Sequence, residues 1–199
     1  YSVAEVKIGG HEAHSSNPRA GRSAILAAAD LILRIERLAA ELEAETHPSF
    51  APPHTTLNVG RISGGTAPNV VPGGCSVTLE WRSIPSQPVA RVLDAVRALG
   101  AEIAAARGVE LEVVQQRSDP SLDTPADAQL VRFLEEASNQ ACGTVAFGTE
   151  GPELAALGAE AVVFGPGDIA QAHKSGEYVL RAELEIGRAS CRERVCYVV

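Results

Sequence analysis

The spacing of apolar residues over positions 1–117 switches between two and three-to-four residues and back, and few folds accept that order of periods. SVAEVKI (2–8) alternates, with Ala4, Val6 and Ile8 on one face, as a half-buried strand does. Residues 21–45 then carry Ile25, Ala28, Ile32, Ile35, Ala39 and Leu42 at helical spacing, with Arg34, Arg37, Glu41 and Glu45 on the other side. THPSFAPPH (46–54), with its three prolines, predicts a loop. TTLNVGRI (55–62) reads as a second strand, ended by Gly64 and Gly65. SVTLEWRSI (76–84) sends Val77, Leu79 and Trp81 one way and Ser76, Thr78, Glu80 and Arg82 the other. Ser86 is expected to cap the next helix, with Pro88 in its first turn, and Val89, Val92, Val96, Leu99 and Ile103 carry it to about Arg107. VELEVV (109–114) closes the series. The order β-α-β-β-α-β predicts a ferredoxin-like α+β domain: a four-stranded antiparallel sheet with two helices on one face.

SDPSLDTP (118–125) is a polar, proline-bearing linker. Beyond it the pattern predicts a helix near 126–141, a strand TVAF (144–147), a helix from Glu150 to Gly158 and a strand EAVVF (160–164). A loop, GPGDIAQAHKSG, and a final helix follow. This is the edge of an α/β layer and too short to bury a core alone, so 118–185 is expected to be the C-terminal part of a larger domain. From Ile186 the run IGRASCRERVCYVV loses all period, and Ile186–Val195 resembles the translation of a common DNA-sequencing adapter. Residues 186–199 are therefore set apart as an adapter tail, expected to pack against nothing specific. The chain opens on Tyr1 and contains no Met, which predicts a reading frame that starts upstream.

A net charge of −8 argues against a nucleic-acid partner, because a phosphate backbone demands clustered Lys and Arg. No apolar run approaches the ~18 residues of a membrane span, and no secretory signal opens the chain. Cys75, Cys142, Cys191 and Cys196 match no C-x-x-C pattern, so reduced thiols in a cytoplasm are expected.

Three stretches could carry chemistry. GGHEAHSSNPRAG (9–21) places His11 and His14 at the exit of a strand. It reads either as a polar turn, with Ser15, Ser16 and Asn17 as capping residues, or as a catalytic histidine loop. Asn69 in GGTAPN and Arg82 in WRSIP form the second candidate: a solvated arginine beside Glu80, or a guanidinium fork for a carboxylate. His173, in FGPGDIAQAHKSGEYV, follows an apolar strand, where α/β sheets place ligands. It is a surface residue, or a zinc ligand together with Asp168 or Glu177. A catalytic zinc needs three protein ligands, however, and the chain offers no His-x-Asp or His-x-x-x-His pair.

Four stretches in series, GGHEAHSSNP, TTLNVGRISGGTAPNVVP, GTEGPEL and GPGDIAQAHKSGEYV, resemble the di-zinc amidohydrolases in order and spacing. This is a family of deacetylases, desuccinylases and carboxypeptidases, and the resemblance covers residues 1–185. It implies that 1–117 is a dimerisation lid and that 118–185 belongs to an α/β di-zinc catalytic domain. It implies that His173 is the carboxy-terminal zinc ligand and that His14 stabilises the oxyanion in the partner subunit's site. Asn69 and Arg82 would hold the substrate, through its α-carboxylate, while Thr149, Glu150 and Gly165 to Gly167 would line the substrate side. Two zinc ions per intact subunit, with cobalt as a substitute, a homodimer through the lid and a small N-acyl amino acid substrate follow from the same resemblance. The forms GPG-x-I-x-Q-A-H and EAHSSNP point to N-acetyl-L-ornithine, released as ornithine and acetate in arginine biosynthesis. A desuccinylase or carboxypeptidase substrate, or a non-catalytic dimerisation module, are the alternatives. The family's His-x-Asp, bridging Asp, Glu-Glu pair and a further carboxylate ligand lie upstream of its lid. The chain is thus expected to be a fragment, inactive and a poor zinc binder by itself. Ser175-Gly176 stands where the family has Pro-Asp, and Gly151 where it often has Ala.

Overall fold

Strand β1 (Ser2–Gly9) buries Ala4, Val6 and Ile8 and turns Val3, Glu5 and Lys7 away from the core in a computed structural model, which describes residues 1–182 and 196–197. β1 pairs antiparallel with β5 (Gly74–Arg82) on one side and β6 (Glu110–Ser118) on the other, and β3 (Thr56–Gly64) lies outside β5. The four-stranded order is β3-β5-β1-β6, antiparallel throughout. Gly60 is skipped in the β3–β5 register, a one-residue bulge that matches the phase change in the sequence from Leu57 and Val59 to Ile62.

Helices α1 (Ala24–Leu42) and α2 (Arg91–Arg107) pack against each other and against one face of this sheet. Their buried Leu31, Ile35, Val92, Val96 and Ile103 share one core with Val77, Leu79 and Trp81. The buried stripe of α1 is rotated from the expected one: Ala24, Ala27 and Leu31 are covered, while Ile25 and Ile32 are half-buried at its margin. α1 starts at Ala24 rather than residue 21, because the backbone of Arg22 pairs with His11 (2.8 and 2.9 Å) and stays extended. Ser23 then caps the helix, its Oγ accepting from the Leu26 amide at 3.2 Å.

Ser86 does not cap α2, which begins at Arg91. The intervening segment is held in turns because Gln87 is buried: it accepts from Thr55 Oγ1 (2.7 Å) and donates to Glu45 (3.1 Å). The helix ends on Gly108 in the left-handed region, φ 63°, where a Cβ would be strained. β6 then runs four residues past the predicted strand, to Ser118.

The chain divides into two compact units: residues 1–48 with 52–121, and residues 49–51 with those described from Leu122 on. In the second unit, α3 (Gln129–Ser138) buries Val131 and Leu134, and Glu160 accepts from the amides of Gln129 and Leu130 at its start. α4 (Gly151–Ala156) and strand β7 (Val163–Phe164) are shorter than their patterns implied. Residues 144–147 form no strand; Val145 is instead buried with Leu122 and Ala161. The final helix expected after Gly176 does not begin there: residues 177–180 carry no regular structure and only 181–182 are helical, while from 183 to 195 it lies outside the described residues, as does Cys191. Cys196–Tyr197 (β8) pairs antiparallel with β7, so the expectation that 186–199 packs against nothing fails there.

Candidate functional site

A two-residue ladder missing from the sequence reading positions the first candidates. β2 (Ala13–His14) pairs with β4 (Val70–Val71), placing His14 opposite Val70, and the Ser15 amide donates to the Asn69 carbonyl at 3.0 Å. Asn69 is the third residue of a turn closed by Val70 N to Ala67 O (3.2 Å), with Pro68 at the second position, where a fixed φ suits the bend. Gly10 lets the exit of β1 lie against the extended segment before α1: a Cβ there would stand 2.0 Å from the Arg22 carbonyl. His14 and Asn69 are therefore neighbours, both exposed, at one end of the sheet.

The His14 ring has a defined orientation. Its Nδ1 accepts from the Ser16 amide at 3.2 Å and lies 2.8 Å from the Ser16 hydroxyl. A neutral ring held this way carries its proton on Nε2, which makes that atom a donor.

Arg82 is elsewhere. It ends β5, eight residues from Gly74, or ~27 Å at a strand rise of about 3.4 Å per residue. Asn69 lies beyond the Gly74 end, so one chain does not bring Asn69 and Arg82 together. Arg82 Nε donates to Glu80 Oε1 at 2.9 Å, the pairing expected of same-face neighbours on a strand. Tyr1 stacks on its guanidinium, Cζ lying 5.2 Å from the ring centroid, a contact that no sequence pattern signalled.

In the second unit, a cavity of about 480 Å³ is lined by Phe147, Phe164, Gly165, Gly167, Asp168 and Tyr178, among others. Gly165 and Gly167 border it, whereas Thr149, Glu150 and His173 do not. Thr149 Oγ1 accepts from the Gly151 amide at 3.1 Å, and Glu150 occupies the N-cap position of α4 without a side-chain bond. His173 is exposed and has φ 60°, a left-handed conformation that costs a non-glycine residue energy and concentrates at functional positions. Its backbone N–H donates to Glu177 Oε2 at 3.0 Å. Among the described residues no group of three His, Cys, Asp or Glu is placed to hold a metal ion. The donors present do not complete a zinc site.

Residues 2–107 match the family model of the peptidase dimerisation domain. The chain is similar to an acetylornithine deacetylase of Myxococcus xanthus, 46% identical over 196 residues, covering 95% of this chain and 52% of that protein. It is 30% identical over 176 residues to an acetylornithine deacetylase of Aliivibrio salmonicida (strain LFI1238), covering 87% of this chain and 46% of that one. Among solved structures, a tripeptidase from Staphylococcus aureus subsp. aureus Mu50 superimposes with a TM-score of 0.63 at 26% identity, over 80% of this chain and 41% of that one. The chain spans about half the length of the curated relatives it matches.

Proposed function

The chain belongs to the peptidase dimerisation-domain family, and from that premise we propose that it is the lid and adjoining part of a zinc-dependent amidohydrolase that converts N-acetyl-L-ornithine to L-ornithine and acetate in arginine biosynthesis. The observation that carries this reading is the 46% identity, along 95% of the chain, to the acetylornithine deacetylase of Myxococcus xanthus. The strand order β3-β5-β1-β6 with two helices on one face supports the ferredoxin-like lid.

The chemistry follows from the residues. His14 Nε2–H donates to the oxyanion that forms when water adds to the acetamide carbonyl, where a preorganised donor acts most strongly. Asn69 and Arg82 hold the α-carboxylate. Because these two lie at opposite ends of β5, a single site takes His14 and Asn69 from one subunit and Arg82 from its partner. His173 would supply one ligand to a zinc ion, which the described residues do not by themselves complete, and zinc bound there would activate the attacking water.

The homodimer forms through the β3 edge. β3 leaves one row of backbone groups unpaired in the sheet, and Ile62 on it is 54% exposed, with Leu26 and Leu33 of α1 exposed at 60% and 56%. The family match contains β3 and α1 and ends before β6, the other edge.

Mixed dimers of the complete enzyme test this reading. Co-expressed His14→Ala and Arg82→Ala subunits, each inactive alone, should regain about a quarter of wild-type deacetylase activity, since random pairing makes half the dimers mixed and each then has one intact site. No recovery would overturn the shared site. Preference for a succinyl or peptide substrate over N-acetyl-L-ornithine would move the enzyme elsewhere in the family, and an inactive complete protein would leave a dimerisation module.

A further inference from the structure

We propose that Tyr1 and Glu80 are positioning residues for Arg82, fixing its guanidinium in the orientation that receives a substrate carboxylate, a role that presupposes the assignment of Arg82 to substrate. Ser2 pairs with Trp81 on one side and Ser118 on the other, so Tyr1 falls opposite Arg82 and Asp119, with Arg117, the partner of Val3, diagonal to it. Its ring centroid lies 5.2 Å from Arg82 Cζ and 5.1 Å from Arg117 Cζ, which puts both guanidiniums within cation–π range. Arg117, the second cation at the ring, is itself anchored by an ion pair to Asp119. Glu80 takes the Arg82 Nε–H at 2.9 Å.

These contacts constrain different freedoms. The ring restricts where the guanidinium plane can move, and the Glu80 carboxylate fixes its rotation by engaging Nε. An arginine ordered before binding loses less side-chain entropy when it meets a carboxylate, and its planar fork is effective only when aligned. The side chains of Arg82 and Glu80 remain 41% and 31% exposed, so the pair still reaches solvent, from which a ligand approaches.

The test measures steady-state kinetics of the complete enzyme on N-acetyl-L-ornithine. Tyr1→Leu should raise KM about two- to fivefold, the change that loss of an exposed cation–π contact produces, while kcat stays close to wild type. Tyr1→Phe, which keeps the ring, should restore KM, and Glu80→Gln should raise it as Tyr1→Leu does. Arg82→Lys separates the layers of the argument. If it leaves KM unchanged, Arg82 does not hold substrate, and both the functional assignment and the positioning role fall. If Arg82→Lys raises KM but Tyr1→Leu does not, only the positioning role falls. A Tyr1→Leu variant that loses kcat and thermal stability together would make the residue structural and also overturn the proposal. Independently of activity, the Arg82 Nε–H proton of the 199-residue chain should show an upfield ring-current shift in NMR. That shift should vanish in Tyr1→Leu and persist in Tyr1→Phe; an unshifted wild-type signal would overturn the stacking.

Discussion

His14 and Arg82 are each oriented by neighbours two positions away in sequence, and for that reason their roles depend on local backbone geometry. The Ser16 amide directs Nδ1 of His14, leaving Nε2 to donate. Replacing His14 by Ala in the complete enzyme should lower kcat by about 10²–10³ with KM little changed, the signature of a lost oxyanion donor, as measured by steady-state kinetics. Glu80 and Arg82 share a strand face because side chains alternate, so their pairing was legible in SVTLEWRSI. The stacking of Tyr1 was not, because it depends on which strands flank β1.

At the scale of elements, α1 and α2 are joined on their outer side by charge as well as by their shared core. Asp30 of α1 accepts from Arg34 Nε (3.1 Å) and from Arg107 Nε of α2 (3.0 Å), and Arg34 reaches Glu102 of α2 at 2.7 Å. The bonds from Arg107 and Arg34 hold the Asp30 carboxyl below its ordinary range. A carboxylate whose folded-state pKa is depressed contributes stability above the unfolded value, near 3.8, and loses it as pH falls through the folded value. Urea unfolding of Asp30→Asn should therefore show a small loss of stability at neutral pH and a shallower decline below pH ~4 than the parent. The helical periodicity of 21–45 and 89–107 predicted both helices. It could not place Arg22 against His11 or bury Gln87, the contacts that moved both N-termini.

On the scale of the molecule, the β3 edge and the exposed face of α1 are where a second copy would add. Ile62→Asp places a charge where the dimer would bury it without a partner. Sedimentation of the complete enzyme should show dimer dissociation strengthened by at least about tenfold, with the circular-dichroism spectrum retained. An unchanged dimer would direct attention to the β6 edge. In the second unit, TVAF and EAVVF both carry the pattern of a strand, yet of these residues only Val163–Phe164 forms one. A strand is completed by its neighbours, and an isolated pattern carries no information about which neighbour it meets.

The sequence by itself determined the succession of the four long strands and two helices in residues 1–117, the inward faces of β1 and β5, the acidic character of the chain and the four motifs of the family resemblance. Periodicity encodes these because each depends on residues a few positions apart. The tertiary structure alone decided the pairing order of the strands, the β2–β4 ladder that makes His14 and Asn69 neighbours, and the distance that keeps Arg82 from both. Those features rest on backbone hydrogen bonds between segments tens of residues apart, and such bonds form through N–H and C=O groups that every residue but proline carries alike.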